Sequence, residues 1–220
     1  MNEIITLSKK LSKFVVCAEG NISKRVKNNF IIKASGTHLK TLKKEDIVTC
    51  DMNGIQLDNF NKKPSMEYLF HSWLYSFNNI NFVAHTHPIN TLKILCTNSI
   101  SDFSEKRLFP EQIVFNGKKS CIVPYANPGK ELLNCIKEHV TSYVEKEKEI
   151  PKLILLQNHG IIAVSKTANE CISITEICEK SAEIYLGSIL NPNYLSNKDI
   201  DKIFNDENEK YRQKLNSKGI

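Results

Sequence analysis

No apolar run in this 220-residue chain approaches the roughly 20 residues needed to cross a bilayer, so a spanning helix is not expected. The first residues do not form a signal sequence either, because Lys9, Lys10 and Lys13 interrupt their apolar positions. A cytoplasmic protein is the expectation. Cysteine is present seven times, at 17, 50, 96, 121, 135, 171 and 178, but no Cys-x-x-Cys pair occurs. That excludes zinc knuckles and thioredoxin-type motifs and leaves reduced packing residues, none with the signature of a Cys-His hydrolase. The metalloprotease motif His-Glu-x-x-His is also absent. So is a basic stripe interleaved with aromatics: the lysines behind the net charge of +6 are spread along the whole chain. This argues against nucleic acid as a partner, while a diffuse positive field favours an anionic small molecule.

What is present is ordinary globular composition, 41% hydrophobic and 25% charged, at a length that suits one α/β domain. Helical spacing over 3–16 precedes a hairpin of Ile22–Val26 and Phe30–Lys33, then a loop at Ala34-Ser-Gly36. A strand over Ile47–Cys50 is expected to turn through Asp51–Gly54 into Ile55–Leu57. After Pro64, Met66, Leu69, Phe70, Trp73, Leu74 and Phe77 predict the clearest helix, with Ser65 as N-cap and Glu67 in its first turn. Asn81–His87 reads as a strand, and Pro88 opens the next helix. Further on, helices over 129–147 and 168–189 flank strands at 152–157 and 161–164, and Thr167 with Glu170 forms a capping box. The tail from Leu195 suggests one short helix. A strand-rich first half followed by alternating helices and strands predicts a mixed sheet covered by helices.

His85-Thr-His87 is the most informative pattern. Imidazoles at i and i+2 on a strand point to one side of the sheet and can hold one ion. His159, closing another apolar run, supplies a third, which makes the open three-histidine layout of a catalytic zinc. Glu67, one helix upstream, is a carboxylate free to move a proton. Three neutral histidines plus a glutamate suit proton abstraction beside a carbonyl, C–C cleavage or dehydration. His71, i+4 from Glu67, is a neighbour able to orient it. Gly20-Asn21, Ser35-Gly36 and Ser65 lie in turns whose amides can receive an anion.

Glu19-Gly-Asn-Ile-Ser23, Lys33-Ala-Ser-Gly36, Lys63-Pro-Ser-Met-Glu67, Ala84-His-Thr-His87 and Gln157-Asn-His-Gly-Ile161 occur in the order seen in the class II aldolase/adducin family, which the chain resembles over roughly residues 5–190. The resemblance is to members such as L-fuculose-1-phosphate and rhamnulose-1-phosphate aldolases. It implies a single domain over 1–220 with a C-terminal tail from 191, folded as a three-layer α/β/α structure on a mixed, largely antiparallel sheet. It further implies one zinc ion per subunit on His85, His87 and His159, and Glu67 as the catalytic acid/base. Substrate phosphate would be held by Gly20, Asn21, Ser35, Gly36 and Ser65. The implied reaction is retro-aldol cleavage of a ketose 1-phosphate to glycerone phosphate and a short aldehyde, in a homotetramer with interfacial sites. Rival expectations on the same fold are a sugar-phosphate 4-epimerase, a dehydratase or a decarboxylase, and, in a different class, an adducin-like binding module. Two departures stand out. Fuculose-phosphate aldolases usually have Ser-Ser-Glu where this chain has Ser65-Met66-Glu67, and no tyrosine falls in Ile100–Phe109, which leaves Tyr211 as a candidate acid for the leaving aldehyde.

Overall fold

The computed structural model describes residues 1–58, 61–188 and 192–218. Among the described residues seven strands form one sheet: β1 (Asn21–Val26), β2 (Asn29–Lys33), β3 (Ile47–Asp51), β4 (Phe82–Thr86), β5 (Cys121–Val123), β6 (Leu153–Leu156) and β7 (Gly160–Ser165). Their order is β3-β2-β1-β4-β7-β6-β5, antiparallel at every step except β5 with β6. The sheet is therefore mixed and largely antiparallel, as expected.

Alternation along the strands builds two cores, because successive side chains leave opposite faces of a sheet. Ile22, Ile31, Ala84, Leu155, Ile161 and Ala163 pack with Ile4, Leu7 and Leu11 of α1 (Asn2–Leu11) and with Cys171, Ile174 and Cys178 of α7 (Ala168–Gly187). Phe30, Ile32, Val83, Ile154, Ile162 and Val164 pack instead with Phe70 and Leu74 of α2 (Tyr68–Leu74) and with Leu132, Ile136 and Val140 of α6 (Lys130–Glu147). The three layers follow from that division. Each fully buried aliphatic side chain contributes about 1.5–3 kcal/mol, so both faces are held firmly. Among the described residues no helix is long and apolar enough to cross a membrane.

Several local expectations are corrected. The helix after Pro64 begins only at Tyr68, so Ser65 is not its N-cap and Glu67 occupies the cap position without a side-chain capping bond. The reason is tertiary: Ser65 N–H donates to Lys33 O, Ala34 bridges Pro64, and the Glu67 carboxylate is engaged elsewhere. Ile55–Leu57 forms no strand, only a bridge from Gln56 to Cys50, because the Asp51 carboxylate captures the Asn53 and Ile55 amides and Asp58 captures Thr49. The tail holds two helices, α8 (Asn197–Asn205) and α9 (Glu207–Lys218), rather than one. The helix expected to reach residue 189 ends at Gly187; residues 189–191, where core and tail were expected to meet, lie outside the described residues. The short elements α3 (Ile89–Leu95), α4 (Ile100–Glu105) and α5 (Pro110–Asn116) are the remaining α-helices among the described residues, with α3 following Pro88 as anticipated.

Candidate metal centre

Sheet register assembles the site. Antiparallel pairing sets Asn21 of β1 opposite His85 of β4, and Thr86 opposite Ile161 at the start of β7. The end of β4, carrying His85 and His87, therefore meets the tight β6–β7 connection that carries His159. In that connection Asn158 adopts a left-handed conformation (φ 55°), as asparagine tolerates better than most residues. One ligand atom from each of His85, His87 and His159 lies within 4.8 Å of the others. His85 shares the sheet face of Val83, under α2, with Phe70 meeting its ring edge-on at 5.9 Å. Glu67 thus hangs from the start of α2 over the three imidazoles, 3.3 Å from Nε2 of both His85 and His159.

Two glycines permit this closeness. Gly20 takes φ +63°, and a Cβ there would lie 2.7 Å from the His85 carbonyl oxygen. A Cβ on Gly160 would lie 2.5 Å from His87 Cδ2 and 2.6 Å from the Thr86 carbonyl oxygen. Backbone cannot yield as a side-chain tip can, so Gly160→Ala is expected to lower stability by about 1–3 kcal/mol and to weaken metal binding. Thermal unfolding and metal titration of that variant check this.

Hydrogen bonds fix the tautomers. Nδ1 of His85 faces the Ile161 carbonyl at 2.9 Å and must carry the proton, which leaves a lone pair on Nε2. Nδ1 of His87 faces a Glu19 carboxylate oxygen at 3.3 Å, and the Val16 amide anchors that same oxygen. Nε2 of His87 is therefore also a lone pair, and it points at Nε2 of His85 across 3.0 Å. Burial, reinforced by neighbouring histidines, pushes His85 down to about 3 and His87 to about 4, and it lowers His159 as well. These rings are neutral at pH 7, so their contacts with Glu67 and Glu19 are not ion pairs. The two lone pairs, of His85 and His87, meet with no proton to share, beside a buried Glu67 Oε1 that receives no hydrogen bond. A cation relieves all of this. The donor set of three imidazole nitrogens, with Glu19 behind one and a backbone carbonyl behind another, fits a metal with an open position.

The cleft in front of this centre encloses about 220 Å³, lined by Gly20, Asn21, Ser35, Gly36, Ser65, Glu67, His87 and His159 among others. Every anticipated site residue lines this cleft except His85, which joins the cluster from its buried side. Tyr211 is not among the lining residues; it sits exposed on α9. Lys33, to which its motif alone assigns no site role, also lines the cleft. It is almost wholly buried, donates to Ala18 O at 3.0 Å, and burial draws its ammonium down to about 8, against the pull of Glu67 and Asp46. A lysine ending the apolar run Phe30-Ile-Ile32, just before Ser35-Gly36, was its signal. Glu19, Pro128 and the exposed Met66 complete the rim. Larger hollows elsewhere on the chain lack this chemistry.

Residues 2–186 match the model of the class II aldolase and adducin N-terminal domain. An L-fuculose phosphate aldolase of Methanococcus maripaludis is 31% identical over 173 residues, covering 78% of this chain and 87% of that one. The Escherichia coli protein of that name is 28% identical over 171 residues, 77% of this chain and 74% of its own. Among solved structures, an L-fuculose 1-phosphate aldolase superposes with a TM-score of 0.77 at 25% identity, over 96% of this chain and 95% of that one. YgbL of Klebsiella pneumoniae, named for aldolase, epimerase or decarboxylase activity, shares the fold at TM-score 0.78 and 20% identity, over 92% and 96% of the two chains.

Proposed function

The chain belongs to the class II aldolase and adducin family and is an enzyme of its aldolase branch; from that premise we propose that it cleaves a ketose 1-phosphate by a zinc-dependent retro-aldol reaction. The products are glycerone phosphate and a short aldehyde. One observation carries the reading: a carboxylate with one oxygen held and the other buried and free, suspended over three neutral imidazoles that converge on a common point.

His85, His87 and His159 are the residues that would hold the metal. When bound, zinc polarises a carbonyl and stabilises negative charge on adjacent oxygens, an effect worth several kcal/mol. Glu67 does the proton work. Its Oε2 accepts a hydrogen bond from Asn21 Nδ2 at 2.7 Å, so Oε1 is the oxygen left to carry a proton to the carbon that loses its partner. A positioned acid/base of this kind contributes roughly 10²–10⁴-fold.

Gly20, Asn21, Ser35, Gly36 and Ser65 line the phosphate end, and the Lys33 ammonium adds the positive charge there. Met66 offers no hydroxyl, so Lys33 carries more of the attraction. Its charge is present below about pH 8 and lost above it. The KM for a sugar phosphate is therefore expected to rise as pH passes through 8, and to rise at neutral pH in Lys33→Met. A flat KM from pH 7 to 9 in the wild type would remove Lys33 from phosphate binding.

The fuculose-phosphate names of the relatives favour that substrate type, and YgbL keeps the epimerase and decarboxylase alternatives in view. Convergence of all three histidines with Glu67 speaks against an adducin-like binding module. A homotetramer in the cytoplasm belongs to the same proposal. The deciding experiment is turnover of the zinc-loaded protein against a panel of ketose 1-phosphates, with product identification. Glycerone phosphate and an aldehyde in equal amounts support cleavage, whereas an epimeric pentulose phosphate or released carbon dioxide replaces it with a rival.

A further inference from the structure

Behind Glu67 runs a chain of buried polar side chains, of which the proton chemistry above uses only Asn21. Asn21, Ser23 and His71 are each at most 2% exposed, as is Tyr75. Asn21 and Ser23 come from β1, His71 from α2, and Tyr75 follows α2 directly. Tyr75 OH lies 2.6 Å from Ser23 Oγ, which lies 2.7 Å from His71 Nδ1. On its other side the His71 ring meets Asn21 Oδ1 through Nε2, and Asn21 Nδ2 reaches Glu67 Oε2 at 2.7 Å.

Only one set of donors satisfies every link. A carboxylate accepts, so the Asn21 amide must present its NH₂ to Glu67 and its oxygen to His71. His71 must then carry its proton on Nε2 and accept at Nδ1 from the Ser23 hydroxyl. Ser23 in turn accepts from the Tyr75 hydroxyl. The donors all point one way, from Tyr75 towards Glu67. Turning the Asn21 amide over would set its oxygen against the carboxylate, and His71 is the group that forbids this. Buried networks of this kind, fully satisfied, hold one geometry.

We infer that His71 is a positioning residue, which locks the Asn21 amide and thereby anchors Glu67 Oε2 so that Oε1 alone faces the reacting carbon. The inference rests on the proposed role of Glu67. It also accounts for the late start of α2: Glu67 is held by Asn21 instead of capping the helix.

Two measurements test it. With ¹⁵N-labelled histidine in the full-length protein, long-range ¹H–¹⁵N correlations report each ring's tautomer, and the His71 signal is identified by its loss in His71→Gln. The expected ring is neutral, with its proton on Nε2; a proton on Nδ1, or on both nitrogens, overturns the relay. This result requires no turnover, so it stands apart from the fate of the aldolase reading. The second measurement is hydrogen exchange of glycerone phosphate in deuterated water. His71→Leu, which cannot donate, should lower kcat roughly 10- to 100-fold with KM and zinc content little changed, the cost of a misplaced catalytic group. His71→Gln places an amide donor near the Nε2 position and should recover at least tenfold over His71→Leu. Equal losses in the two variants, or a loss confined to KM, would mean that His71 merely fills space. Absence of exchange in the wild type would sink the aldolase reading, and the tautomer would then decide the relay alone.

Discussion

Glu67→Gln is expected to keep its zinc and lose its reaction. Gln is nearly isosteric, and its side-chain oxygen still accepts from Asn21 Nδ2, so the cleft keeps its shape. None of the three imidazole ligands is disturbed, and metal content should stay at one ion per chain. What disappears is an oxygen able to carry a proton, and turnover should fall by about 10²–10⁴-fold. Metal analysis with steady-state kinetics on the same preparation checks both halves. Turnover within tenfold of wild type would remove Glu67 from the proton path. Loss of zinc would instead make it a ligand, which its 3.3 Å approaches to His85 and His159 would then have foreshadowed.

The second large effect is expected at His159. His159→Ala leaves two imidazole nitrogens, and zinc affinity should drop by more than the roughly 10–100-fold typical of losing an outer-shell partner. The ring lies in the β6–β7 connection and is partly exposed, so the fold itself should tolerate the change. Isothermal titration of zinc into the metal-free variant and the wild type measures this directly. Retention of wild-type affinity would contradict a three-histidine centre.

The histidines were legible in the sequence because strand geometry is local. His85 and His87 had to share a face once Asn81–His87 was a strand, and the run before His159 had to end near the same sheet edge if the two strands were neighbours. The buried strands β4, β6 and β7 were legible for the same reason, as apolar runs bounded by turns. Other parts depended on distant neighbours. The stripe from Met66 to Phe77 suggested a long helix, yet Met66 is exposed and only Tyr68–Leu74 is helical; its start is late because Asn21 of β1 holds Glu67. Asp51 and Asp58 pre-empted the ladder expected at Ile55–Leu57 with side-chain bonds that no alternation reports. The six- and seven-residue helices α4 and α5 and the three-residue β5 are too short for periodicity to reveal. Within the site, Lys33 was hidden as the end of a strand, and His71 showed only its spacing from Glu67. The direction of its hydrogen bonds exists only when β1 and α2 are packed together.

The central claim is that Glu67 moves a proton at a carbon beside a metal-polarised carbonyl, and hydrogen exchange on glycerone phosphate tests it without the unknown aldehyde. Zinc-loaded protein in deuterated water, followed by NMR, should replace one of the two hydrogens on the hydroxymethyl carbon, and only one. The metal-free protein and Glu67→Gln should replace neither. A zinc-loaded wild-type protein that leaves both hydrogens in place would contradict the account.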